Sequence, residues 1–195
     1  MKIGMFADSF LPDKNGLVTV VCELTKELLR RNMEVSLYVP GENSGREEYY
    51  GAVVHRLRGY PVPFYPSYRL AMIEAWKIPK ILKNYELDVY HVHDPFSIGM
   101  VAMRSAKLRR KPIVGTFHTH FAEYLPYIGR SRLYTLTARI VGRDLAWIYL
   151  RNFYKRCSVV TVPSHEMRRM LTERIWEKEV VVIPNGIDLN RFSRR

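Results

Sequence analysis

Glutamine is missing from the chain, cysteine occurs only twice, and nowhere do 18 apolar residues follow one another. Each absence excludes something. Cys22 and Cys157 lie too far apart to form a metal or redox motif, so disulfides are not expected to hold the fold, and a reducing compartment, the cytosol, is the expected setting. Without a long apolar run there is no candidate for a membrane-spanning helix. The apolar start from Met1 is interrupted at Asp8, too soon for a secretory leader. No Gly-x-Gly-x-x-Gly and no P-loop sequence occurs, which removes the usual dinucleotide and ATPase signatures. Internal repeats and low-complexity tracts are also absent. The lack of glutamine beside 26% charged residues leans toward a heat-adapted source.

What is present is positive charge, unevenly placed. Arg104 to Arg156 carries 12 Lys or Arg against only Glu123 and Asp144, which accounts for +10 of the whole chain's +12. A local field of this kind implies an anionic partner: a membrane surface, nucleic acid or a phosphorylated ligand. A solvated helix face is the plainer alternative. In the helix expected over Arg130 to Arg156, Arg132, Arg139 and Arg143 fall within a narrow stripe, with Leu136, Ile140, Trp147 and Leu150 offering apolar area elsewhere. A basic helix with aromatic residues is suited to lying on a membrane interface.

Periodicity predicts an alternating chain. Lys2 to Ala7 and Glu34 to Val39 read as strands around a helix from Leu17 to Arg31, stopped near Asn32. A polar loop from Glu42 to Tyr50 precedes a strand from Ala52 to Leu57. A proline-rich loop from Pro61 to Pro66 then leads to a helix from Leu70 to Asn84, with a kink at Pro79. Leu87 to His93, Pro112 to Phe117, Ser158 to Val162 and Val180 to Ile183 are further apolar runs, separated by segments of helical character. Such alternation calls for an α/β fold, a Rossmann-like doubly wound parallel sheet with helices on both faces.

In open α/β sheets, ligands bind at the C-terminal ends of the strands, and the chemistry-bearing residues gather there. Asp8 to Gly16 forms a turn-rich loop between a strand and a helix, where free amides and the helix dipole favour an anion. A turn glycine before the helix is the plainer reading of Gly16. His91 and His93 share a strand face, as do His118 and His120 if their strand extends that far. The two pairs admit a metal-dependent hydrolase, but the Asp and His that would continue such a pattern are missing after Asp94, so no metal ligand set is assigned. His55 and His165 read as hydrogen-bonded core residues. A nucleic-acid-binding domain would use the basic segment, though no DNA- or RNA-reading module is recognisable.

Five motifs in order resemble the N-terminal half of a retaining glycosyltransferase of family four, with GT-B architecture. They are Asp8-Ser9-Phe10-Leu11-Pro12 with Gly16 and Thr19, His91-Val92-His93-Asp94-Pro95 through Gly99, Thr116-Phe117-His118-Thr119, Val162-Pro163-Ser164, and Ile183-Pro184-Asn185-Gly186-Ile187-Asp188 with Phe192. Thr116 to Ile128 is most similar to members that glycosylate lipids, such as diacylglycerol glucosyltransferases. The resemblance implies transfer of a sugar from a nucleotide-sugar donor to a lipid or carbohydrate acceptor, with no metal and no cofactor beyond that co-substrate. It implies His118 as the catalytic residue beside the transferred sugar. It implies Asn15, Gly16 and Leu17 at the donor, where the family has Gly-Gly-Val, and Asp8, His93, Asp94, His120, Glu123 and Tyr124 at the acceptor. Residues 1–183 then form the acceptor-side domain and 184–195 an interdomain linker. The donor-binding domain is expected to be absent and the chain alone inactive. The implied location is the cytoplasm, peripheral on the inner face of an anionic membrane, where Arg132, Arg139 and Arg143 would make contact, with no role for nucleic acid.

Overall fold

The computed structural model describes residues 1–62, 65–118, 143–174 and 179–186. Its centre is a sheet built from β1 (Lys2–Phe6), β2 (Glu34–Gly41), β3 (Gly45–Tyr49), β4 (Ala52–Arg58), β7 (Val89–Val92), β8 (Ile113–Thr116), β9 (Val159–Val162) and β10 (Val180–Val182). The strand order is β10-β9-β8-β7-β1-β2-β4-β3. All neighbours run parallel except β3, which pairs antiparallel with β4 at the edge. The chain steps from β1 outward to β4 on one side and then resumes with β7 on the other, so the order reverses between β1 and β7. A switch point of that kind opens a crevice beyond the strand ends. The fold is the Rossmann-like doubly wound domain that the alternation predicts.

The two sheet faces bury different layers. On one, Ile3, Met5, Leu37, Val39 and Val54 pack under α1 (Gly16–Arg30) through its Val18, Val21 and Cys22. On the other, Phe6, Tyr38, Tyr90 and Val92 pack beneath α2 (Met72–Ala75), α3 (Ile78–Ile81), α4 (Ser97–Arg109), α5 (Arg143–Tyr154) and α6 (His165–Arg174). Within this second layer a ladder of rings crosses four strands. His55 stacks on Tyr38 at 4.8 Å, Tyr38 on Phe6 at 4.6 Å and Phe6 on Tyr90 at 5.4 Å between centroids. Asn15 caps α1 by accepting from the Val18 amide at 2.9 Å. Beyond the other end of α1, Asn32 takes the left-handed conformation that closes a helix, with φ of 58°.

Three segments depart from the pattern read in the sequence. Residues 42–50 hold an edge strand, β3, whose exposed Gly45-Arg46-Glu47-Glu48 run is charged in the way that protects sheet edges. The proline-rich loop contains a two-stranded hairpin, β5 (Tyr60–Val62) with β6 (Tyr65–Leu70), because proline is tolerated in strands whose amides need no partner on one side. The helix expected over Leu70 to Asn84 breaks into α2, α3 and a 3₁₀ turn at Leu82–Asn84, since Pro79 belongs in a helix's first turn and starts α3 there. His165 also differs, standing exposed at the start of α6; His55 is in the core, 7% exposed, but its Nε2 has no hydrogen-bond partner. Of the long basic helix, Arg143 to Tyr154 is observed as α5; Arg132 and Arg139 lie outside the described residues.

Candidate functional site at the switch point

The loops after β1 and β7 meet through two buried carboxyl groups. The Asp8 amide donates to Asp94 Oδ2 at 3.0 Å, tying the strands together just beyond their last paired residues. Asp8 Oδ1 accepts from the Ser97 hydroxyl and from the Ile98 amide at 3.1 Å, so it caps the first turn of α4, whose own N-cap residue, Phe96, has no side-chain bond to offer. Asp8 is 0% exposed, and its Oδ2 has no hydrogen-bond partner. Burial pushes the Asp8 carboxyl up to about 6 despite the hydrogen bonds from Ser97, Ile98 and Gly99. Burial, and then the charge of Asp8, push Asp94 up to about 8. Both residues, expected at the acceptor, therefore sit in the seam beneath the crevice.

Above that seam three imidazoles stack. His91 on β7 and His93 just past its end face the same way, with ring centroids 4.1 Å apart, and His118, two residues past β8, stacks on His93 at 5.2 Å. His93 Nδ1 and His118 Nε2 share a hydrogen bond of 3.0 Å. His91 Nε2 bonds Thr116 Oγ1 at 2.6 Å, which bonds Thr161 Oγ1 at 2.7 Å, extending the network across β8 and β9. Burial lowers His118 to about 4 and His91 to about 3, with the charge of His118 adding to the effect on His91. His93 is lowered well below its ordinary value by burial and by its two neighbours. All three rings are accordingly neutral near pH 7, and the cluster offers hydrogen bonds, not charge. Among the described residues no group of three His, Cys, Asp or Glu is arranged to hold a metal.

His91, His93, Thr116, Thr161 and His118 line a cleft of about 720 Å³, closed on one side by Glu23, Lys26 and other residues of α1 and on another by Ile183 to Gly186. The start of the segment expected to link two domains is thus part of the cleft wall. Asn15 lines a second depression, of about 580 Å³, with Tyr49 and Tyr50. The amides of Gly16 and Leu17 precede the first intrahelical bond of α1, and a Cβ built on Gly16 meets nothing within 4 Å. An anion can therefore approach that backbone.

The structure joins His93 with His118 and, in a separate network, Asp8 with Asp94, and it holds Asn15, Gly16 and Leu17 at a helix terminus. His120, Glu123 and Tyr124 lie outside the described residues. The sequence reading overlooked Thr116, Thr161 and Ser97 as network members. Their signal was faint: a polar residue at or next to the last position of a buried strand, or at the first of the following helix.

A parallel sheet with its crevice at the switch point, lined by histidines over a carboxyl seam, defines an α/β protein of the class that binds ligands beyond its strand ends. The profile of Glycosyltransferase Family 4 matches residues 14–191, and the chain belongs to that family. It is 30% identical over 196 residues to an alpha-monoglucosyldiacylglycerol synthase of Acholeplasma laidlawii, covering 100% of this chain and 48% of the relative. It is 27% identical to the enzyme of the same name from Streptococcus pneumoniae, covering 100% and 42%. The chain therefore spans about half the length of these curated relatives. Among solved structures, a sucrose-phosphate synthase from Thermosynechococcus elongatus superposes with a TM-score of 0.61 at 14% identity, over 98% of this chain and 93% of that one, a likeness of fold. Family membership lends no support to the metal-dependent hydrolase or the nucleic-acid-binding readings.

Proposed function

We propose that the chain forms the acceptor-side half of a nucleotide-sugar-dependent, retaining glycosyltransferase that glycosylates a lipid. The observation that carries the reading is the neutral His118, held by His93 on the wall of a cleft at the switch point. In this reading His118 hydrogen-bonds the transferred sugar as positive charge develops at its anomeric carbon, and a neutral ring does so without opposing that charge. The Gly16 and Leu17 amides, with the dipole of α1, stabilise the leaving diphosphate. Asp8 and Asp94 position the two loops from below, while His120, Glu123 and Tyr124 contribute to the acceptor side.

A lipid acceptor is supported by the name of the two curated relatives, in which the glucosylated molecule is a diacylglycerol. No described helix is long and apolar enough to cross a membrane. The proposed arrangement is peripheral, on an anionic cytoplasmic surface, with Arg132, Arg139 and Arg143 adding electrostatic attraction. No cofactor beyond the nucleotide-sugar is assigned. The test is to incubate the active protein with UDP- and GDP-sugars and with diacylglycerol or monoglycosyl-diacylglycerol, and to read the products by mass and by the anomeric proton coupling. A glycolipid with the donor's own anomeric configuration supports the proposal. An inverted product, or transfer to water alone, contradicts it.

A further inference from the structure

Which ring nitrogen of a neutral histidine carries the proton is decided by the bonds that its two nitrogens make. His93 Nδ1 and His118 Nε2 lie 3.0 Å apart, and with both rings neutral one nitrogen must donate and the other accept. The two remaining nitrogens stand in different surroundings. His93 is 1% exposed, and its Nε2 is buried without a hydrogen-bond partner. His118 lines the cleft, where solvent or a ligand can satisfy its Nδ1 with or without the proton. The cost of an unmet group therefore falls on His93 alone. If His93 Nδ1 accepted, the proton would sit on Nε2 as a buried N–H with no acceptor, the orphan that folded proteins avoid most. If Nδ1 donates, only a lone pair is left unmet. The His93 ring is also fixed in place by His91, which stacks on it at 4.1 Å. His91 is itself tethered, its Nε2 bonded to Thr116 Oγ1 at 2.6 Å and that oxygen to Thr161 Oγ1 at 2.7 Å.

We propose that His93 is a positioning residue that holds His118 in its Nδ1–H tautomer: His93 Nδ1–H donates to His118 Nε2, and His118 turns an N–H, not a lone pair, toward the cleft. The consequence is chemical. A neutral N–H suits a ligand oxygen that accepts, such as a sugar hydroxyl or ether oxygen, and discriminates against an ammonium or any other group that can only donate. With Nε2 engaged and Nδ1 already protonated, His118 has no lone pair to offer in the cleft and is not the base that deprotonates an acceptor hydroxyl. That the bonded oxygen belongs to the transferred sugar rests on the glycosyltransferase reading, while the tautomer does not.

The test is long-range proton–nitrogen NMR at pH 7 on the 195-residue chain carrying nitrogen-15 histidine, with no nucleotide, sugar or lipid present. Replacing the three stacked histidines one at a time assigns their signals. His93 and His118 are each expected to show a protonated Nδ1 and a bare Nε2. In His93→Ala the Nε2 of His118 loses its donor, and the ring should revert to the Nε2–H form that histidine prefers in water. His93→Asn, whose amide nitrogen can stand where Nδ1 stood, should keep His118 in the Nδ1–H form. A histidine that served packing alone would not move the proton of its neighbour. An Nε2–H as the major form of His118 in the wild type overturns the proposal, and so does an unchanged His118 tautomer in folded His93→Ala. If His93→Ala fails to fold, the wild-type spectrum and His93→Asn decide. Because no substrate is present, failure of the glycosyltransferase reading would leave the tautomer result intact, and the opposite tautomer would leave sugar transfer untouched as a separate question.

Discussion

At the residue scale, burial decides what each polar group near the crevice can do. Asp8 and Asp94 are held protonated over a wider range than a solvated aspartate, whose usual value is about 3.9. Their folded values are raised, so the folded state binds extra protons, and this contribution to stability is complete below about pH 4. It is lost as pH rises through about 6 for Asp8 and about 8 for Asp94. The histidines act in the opposite sense. With folded values lowered toward 3 to 4, His91 and His118 add stability above their usual 6.5 that is lost on acidification. Between pH 6.5 and 9 the carboxyl effect should dominate. The urea midpoint of the wild type should fall across that interval, and Asp94→Asn, which can still accept from the Asp8 amide, should flatten the fall. Identical profiles for the two proteins would show that Asp94 is ionised in the folded state. His118 illustrates the limit of sequence here: its place at a strand end was legible, but its bond to His93 depends on two loops meeting across the sheet.

At the scale of elements, the first turn of α4 lies directly on the β7 loop. A Cβ on Gly99 would collide with the Asp94 carbonyl and come within 2.8 Å of Val92 Cγ1. Gly99→Ala must therefore push α4 outward, stretching the Asp8–Ile98 bond, at a cost of about 1–3 kcal/mol. A thermal melt should show a drop of roughly 3–10 °C, and an unchanged transition would mean that the helix and loop are free to separate. Gly16→Ala is the contrast. Open space surrounds that position, so the melt should hardly move, whereas the affinity for a nucleotide-sugar should fall if the Gly16 amide meets its diphosphate. Equal donor affinity in the Gly16→Ala enzyme would remove this loop from the donor site. The β-α-β alternation was readable because the parallel strands are short apolar runs bounded by turn residues. The edge strand β3 was not, since Gly45-Arg46-Glu47-Glu48 lacks the alternation of a half-buried strand. The hairpin β5–β6 was hidden by prolines that normally signal a loop. The ring ladder His55–Tyr38–Phe6–Tyr90 was equally invisible, because only the strand order and register bring those four residues side by side.

At the scale of the whole molecule, the sheet divides the labour. One face carries α1, with its free N-terminal amides, and the histidine-lined cleft; the other carries α2 to α6. Both α1 and the first turn of α4 begin at loops on the C-terminal edge of the sheet, so the Gly16 loop and the crevice share one end of the domain. The charge of the molecule was legible from its sequence, but among the described residues the placement of Arg104 over the exposed Trp76 ring depends on how α2 and α4 meet, which periodicity within any single segment does not reveal. The account stands on sugar transfer at the crevice. Its most direct test is to follow labelled sugar from a nucleotide donor into extractable lipid, comparing the wild-type active enzyme with His118→Ala at matched stability. The account predicts label in the lipid and a loss of roughly 10²-fold or more in kcat for the variant, the amount that one strengthened transition-state hydrogen bond provides, with little change in Tm. Undiminished transfer by a folded His118→Ala enzyme would contradict it.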